Sequence, residues 1–168
     1  MKKYFIIKYS SRNISEDEEW TAISDIGKVY NGVILTMEEY KKMEDAYVNA
    51  ILEIMEYMNI QNVYIKNVFR WKNLKKDIEG IRIFSKLYTD AMLKIYEDVK
   101  DAMLLDKENI SDLIRLELRE DIGGLLYVPY RFKVFIGYDY MMGVHTSMHL
   151  DNLFERITKL GLNIYPFT

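Results

Sequence analysis

TMEEYKKMEDAYVNAILEIMEYMNIQNVYIKNVF, residues 36–69, is the stretch whose reading decides the fold. Thr36 stands three residues before Glu39, the spacing at which a threonine hydroxyl and a glutamate carboxylate each cap the other's backbone amide. Glu38 and Glu39 also fall in the first turn, where the helix dipole favours negative charge. From there Met37, Tyr40, Met43, Tyr47, Ile51, Ile54, Met55 and Met58 recur at steps of three and four, so one face is apolar and the other carries Glu and Lys. This predicts a helix over 37–58, stopped at Asn59. The β-branched and aromatic run that follows predicts a strand over 63–69. A long one-faced helix running into a strand needs a sheet to lie on.

The same reading extends outward in both directions. The strand over 3–9 is nearly uniformly apolar at its centre, which predicts cover on both faces. SRNISEDEEW (residues 11–20) has turn formers and no period, and is a surface loop. Beyond the basic connection RWKNLKKDIEG (residues 70–80), Leu87, Ala91, Ile95, Val99 and Met103 return at helical spacing and predict a helix over 83–105. A shorter helix over 110–121 runs up to Gly123-Gly124, read as a breaker. Strands follow over 125–130 and 132–144. Ser147 then caps a helix over 148–160, Gly161 stops it, and 162–167 is a closing strand. The expected fold is an α/β or α+β domain spanning 1–168, with a single mixed sheet of about five strands and about four helices.

Composition bounds the function. A chain of 168 residues is long enough to bury a real core. It has no cysteine, which removes disulfides, thiolate ligands and cysteine nucleophiles and fits a reducing compartment. The apolar run Tyr4 to Ile7 is too short for a signal peptide, and no stretch has the ~20 apolar residues that cross a bilayer. The expectation is a cytoplasmic protein. The net charge of −3 argues against nucleic acid as the main ligand. It averages over a pattern: Lys and Arg number 7 against 11 acids in residues 1–60, 7 against 2 in 61–86, and 9 against 13 in 87–168.

Catalytic signals are thin. His145 and His149 are the only histidines, Thr146 stands where a zinc-protease helix needs glutamate, and Gly143 sets His145 before the helix. No glycine-rich phosphate loop occurs. The acid pairs Glu38/Glu39 and Glu120/Asp121 read as solvated helix charge. No catalytic residue, metal site or cofactor is expected. An enzyme using Asp139, His145 or His149 is the reading left for a direct test.

Two surfaces remain. The basic segment 66–86, with Arg70, Lys72, Lys75, Lys76, Arg82 and Lys86 and with Trp71 and Phe84 interleaved, has the composition of the surface of a nucleic-acid-binding accessory protein, or serves only to solvate a connection and neutralise the acidic ends of the fold. Glu16, Asp17, Glu18, Glu19, Asp25, Glu38 and Glu39 could form a negative surface that steers a basic partner, or a solvated loop and helix caps. Tyr138 and Tyr140 belong to a run of tyrosines, a residue enriched at interface hot spots.

EWTAISDIGKVYNGVILTMEEY (Glu19 to Tyr40), FKVFIGYDYMMGV (Phe132 to Val144) and the closing GLNIYPF together resemble bacterial polymorphic-toxin immunity proteins, including those of contact-dependent growth inhibition. The resemblance covers about a quarter of the chain. It implies a small cytoplasmic protein that neutralises the C-terminal toxin domain of a cognate protein, often a nuclease, by covering its active site or a required surface. Trp20, Asp25, Gly27, Gly137, Tyr138 and Asp139 match the pattern. Trp20 and the glycines are read as keeping the fold and Asp25 as capping a turn. The expected contact set is the acidic residues above with Tyr138, Asp139 and Tyr140.

Overall fold

A computed structural model describes residues 1–9, 19–71, 73–74 and 84–167. Its elements are β1 (Lys2–Ile7), β2 (Val29–Tyr30), β3 (Val33–Ile34), α1 (Met37–Tyr57), β4 (Val63–Arg70), α2 (Asp90–Asp98), β5 (Leu104–Leu105), α3 (Lys107–Leu118), β6 (Ile122–Val128), β7 (Phe132–Ile136), β8 (Met142–Thr146), α4 (Phe154–Lys159) and β9 (Asn163–Phe167). Seven strands form one sheet in the order β5-β4-β6-β7-β8-β1-β9, and β2 and β3 form a separate hairpin. The α/β class is as expected. The sheet is larger than expected, and every pairing in it is antiparallel rather than mixed.

The extra strands have local causes. The segment 132–144 is two strands, because Asp139 and Tyr140 both take positive φ (55° and 59°) and fold β7 back onto β8. Asn31 and Gly32 do the same between β2 and β3, with φ of 50° and 78°. An Asn-Gly pair suits such a turn because both central residues must be left-handed. Gly123 and Gly124 break nothing and lie inside β6.

The helices differ by their caps. Thr36 and Glu39 close the expected capping box, Glu39 N donating to Thr36 Oγ1 (3.2 Å) and Thr36 N to Glu39 Oε2 (3.1 Å). Asn59 ends α1 at φ 51°. The helix expected over 83–105 contracts to α2: Thr89 caps it by accepting from Met92 N, and Ala102 at φ 66° turns the chain into β5. Asp106 caps α3 from Asn109 N, which sets its start at Lys107. Ser147 caps nothing; its amide donates to the Arg131 carbonyl, and α4 starts only at Phe154 after a single 3-10 turn.

One continuous core, from Tyr4 to Ile164, lies between the helices and the inner face of the sheet. The side chains of Tyr40, Tyr47, Ile51, Ile54 and Met55 on α1 are fully buried, so the apolar stripe read from the sequence is the buried one. The opposite sheet face has no helix on it among the described residues. In β1 Tyr4 and Ile6 face the core, while Lys3 and Phe5 point to the open side. Ile7, on that same side by alternation, is buried, so the expected cover on both faces holds only at the end of the strand.

Candidate binding surfaces

The open sheet face follows from strand register. Lys3 pairs with Phe167 on one side and His145 on the other, His145 with Lys133, Lys133 with Tyr127, Tyr127 with Tyr64, and Tyr64 with Leu104. These seven residues form one row across all seven strands. The next row includes Tyr165, Phe5, Gly143 and Phe135, with Leu125 beside Lys66. Neither row contains a carboxylate. The aromatic rings pair with one another: Phe5 with Phe167 at 4.9 Å and Tyr64 with Tyr127 at 5.9 Å between centroids. Phe135 lies over Gly143, where a Cβ would stand 2.1 Å from its ring. Lys66 Nζ sits 5.2 Å above the Tyr127 ring. Burial and the nearby charges of Lys3, Lys133 and the N-terminus hold His145 below the usual histidine range, so it is neutral at pH 7. Both sheet edges are blunted, one by the two-residue β5 and the other by Pro166 in β9, which leaves the face rather than an edge for contact.

A second surface lies beside the β2-β3 hairpin. Val29, Val33 and Ile34 are 61%, 60% and 56% exposed, unusual for β-branched side chains. Val33 and Ile34 line a groove of about 460 Å³ together with Glu19, Trp20, Tyr30 and Glu39. Lys42 and Lys159 also line it, so its charge is mixed. Behind it the Lys8 ammonium lies 3.9 Å from the Trp20 ring centre and 3.4 Å from Glu19. Burial pulls this ammonium down to about 8, against the opposing pull of Glu19.

The expected contact residues separate into three groups. Glu19 and Glu39 come together in the groove and Glu38 is exposed on the first turn of α1. Asp25 is buried: its Oδ2 accepts from Thr21 N (2.9 Å) and Ala22 N (3.1 Å) and its Oδ1 from Lys28, so its carboxylate holds a turn. Tyr140 is also buried, donating to Tyr40 Oη at 2.7 Å, while its carbonyl accepts from Tyr47 Oη. Tyr138, 73% exposed, and Asp139 stand at the tip of the β7-β8 turn. Glu16, Asp17 and Glu18 lie outside the described residues.

Arg70 spends its guanidinium on the carbonyls of Tyr96, Glu97 and Val99, clamping the end of α2 to β4. Lys72, Lys75, Lys76 and Arg82 lie outside the described residues. On the open sheet face Lys3 lies near the Phe167 ring and Lys66 near the Tyr127 ring, and Lys133 pairs with Tyr127 in register. Lys66 opens the basic segment 66–86 marked by the sequence, whereas Lys3 and Lys133 were missed because they stand alone on other strands, although alternation within each strand marks them as outward.

His145 lies on the open face, and His149 is exposed beside Asp151 (3.8 Å). Among the described residues no group of three or more His, Asp or Glu could hold a metal ion, and no helix is long and apolar enough to cross a membrane. No family model matches the chain, and neither a curated protein nor a solved structure matches it.

Proposed function

We propose that this chain is a cytoplasmic immunity protein that binds the C-terminal domain of a cognate bacterial toxin and masks its active site or a required surface, without catalysis of its own. The observation that carries the reading is the hairpin groove, where exposed Val33 and Ile34 adjoin Glu19 and Glu39. An exposed apolar centre with a rim of mixed charge, Glu19 and Glu39 beside Lys42 and Lys159, has the anatomy of a protein-contact patch, and its two acids can pair with basic groups of a nuclease toxin. Glu19, Trp20, Tyr30, Val33, Ile34 and Glu39 of the groove lie in the Glu19 to Tyr40 segment that resembles immunity proteins, and Lys42 and Lys159 line it from outside that segment. Co-expression tests the reading. Growth should survive a toxin domain encoded beside this gene when the chain is present, and fail with Val33→Asp/Ile34→Asp at equal abundance. A toxin that stays lethal with abundant folded chain overturns it.

A second reading is favoured by the carboxylate-free rows of the open sheet. Lys3 and Lys66 beside aromatic rings, with Lys133 in the same row as Lys3, suit a single-stranded nucleic acid, whose bases stack on exposed rings and whose phosphates pair with lysine. Its sign is affinity for a single-stranded oligonucleotide that falls steeply with salt. Lys66→Glu or Lys133→Glu should each reduce that salt slope by about 0.7, the share of one lysine–phosphate pairing. Binding that is insensitive to salt and to both substitutions removes this reading.

A further inference from the structure

β6 and β7 pair over only three positions, Leu126 with Val134 through Val128 with Phe132. Beyond Leu126, the Gly123-Gly124 part of β6 and the Ile136-Gly137 end of β7 no longer face each other in register. A cleft of about 360 Å³ opens there. Phe69, Trp71 and Tyr138 contribute rings to its walls, with Phe69 and Trp71 set edge to face at 4.8 Å. Phe69 occupies the space over Gly123 that a Cβ would fill, 2.2 Å from its Cζ.

The cleft also contains an acid. Glu117, on the last turn of α3, lines it, is 5% exposed, and has no hydrogen-bond partner at Oε1 among the described residues. That oxygen lies 3.4 Å from where a Cβ on Gly124 would stand, so the absent side chain leaves the carboxyl its place beneath the strand. Glu120 lines the same cleft and is exposed. A buried carboxyl oxygen without a partner is destabilising, a cost that an apolar side chain at the same position would avoid. Burial alone pushes Glu117 well above the ordinary glutamate range.

We propose that this cleft is a binding site for an organic cation, an ammonium or guanidinium group, held between the rings of Phe69, Trp71 and Tyr138 and paired with Glu117. The ring faces supply the negative end of their quadrupoles and Glu117 supplies the counter-charge. Among the described residues the other charge lining the cleft, Glu120, has the same sign. A cation seated there satisfies the orphaned oxygen and restores the charge that burial suppresses. The cation has two possible sources, a lysine or arginine side chain of a partner protein or a free small amine. The site stands independently of the hairpin groove, and its test needs no toxin.

The probes are N-acetyl-arginine amide for a side chain, choline for a free amine, and N-acetyl-citrulline amide as the neutral isostere of the first. The chain has two tryptophans, so two indole NMR signals report separately: Trp71 at the cleft and Trp20 at the groove. A saturable shift at Trp71 is expected, with a Kd of about 1 mM or tighter for one cationic probe, about tenfold weaker binding of citrulline, and no shift at Trp20. Tighter arginine binding identifies a partner side chain as the source, and tighter choline binding a free amine. Glu117→Gln should weaken the cationic probe about tenfold while the spectrum stays dispersed. Trp71→Ala, at a position 56% exposed, should do the same when read at the Ile136 methyls. Citrulline binding as well as arginine, Glu117→Gln binding as well as wild type, or no saturation by about 10 mM overturns the proposal.

Discussion

Arg119 and Glu44 meet fork to fork in the core, Nε to Oε1 and Nη2 to Oε2 both at 2.6 Å, with 1% and 0% of their side chains exposed. The pair ties the C-terminal end of α3 to the middle of α1, and Arg119 Nη1 also donates to the Leu87 carbonyl (2.9 Å). Two residues earlier, Glu117 is equally buried and lacks such a partner at Oε1. The contrast separates a charge that serves the fold from one left open to a ligand.

Glu44→Ala leaves the Arg119 guanidinium buried and unpaired, and should cost about 3–5 kcal/mol. The double variant Glu44→Leu/Arg119→Met removes both charges and should cost much less. Urea denaturation of the three chains checks this. A double variant at least as unstable as the single would mean that the pair stabilises the fold outright.

Glu117 has a folded-state affinity for its proton above the unfolded value of about 4.3. Its contribution to stability is therefore full below that pH and is lost as pH rises through the folded value. Glu117→Gln carries no such dependence. The stability of the variant relative to wild type should rise steadily from about pH 4 to pH 7, measured by thermal melts across that range.

Lys8 has the opposite displacement, down to about 8 from an unfolded value near 10.4. Above pH 8 the unfolded chain binds more protons at this position than the folded chain, so Lys8 makes stability rise with pH up to about 10. Tyr9, Tyr40 and Tyr47 are pushed up and act the other way only where an ordinary tyrosine ionises. Lys8→Met should flatten the rise between pH 8 and 10 in urea unfolding curves. An unchanged slope would place the effect on another group.

What the sequence made legible was local. The Thr36–Glu39 box and the stripe from Tyr40 to Met58 carry their own signals, and α1 followed from them. The Asn31-Gly32 hairpin was marked by its turn residues and missed because its strands are two residues long, too short for alternation. The open sheet face was hidden because its outward residues are aromatic: Phe5 between Tyr4 and Ile6 reads as a strand buried on both faces. Glu44 and Arg119 are 75 residues apart, and nothing local separates them from solvated helix charge. The same holds for Glu117. Asp25 was placed among contact residues by its charge, and its neighbours' backbone amides hold its carboxylate.

The most direct test of toxin neutralisation is the dissociation constant between the purified chain and the purified toxin domain encoded beside it, alone and with Val33→Asp/Ile34→Asp. The account predicts a one-to-one complex of about 1 nM or tighter, weakened at least about 100-fold by the double substitution at an unchanged melting temperature. No complex at about 1 μM, or a variant that binds as tightly as wild type, would contradict it.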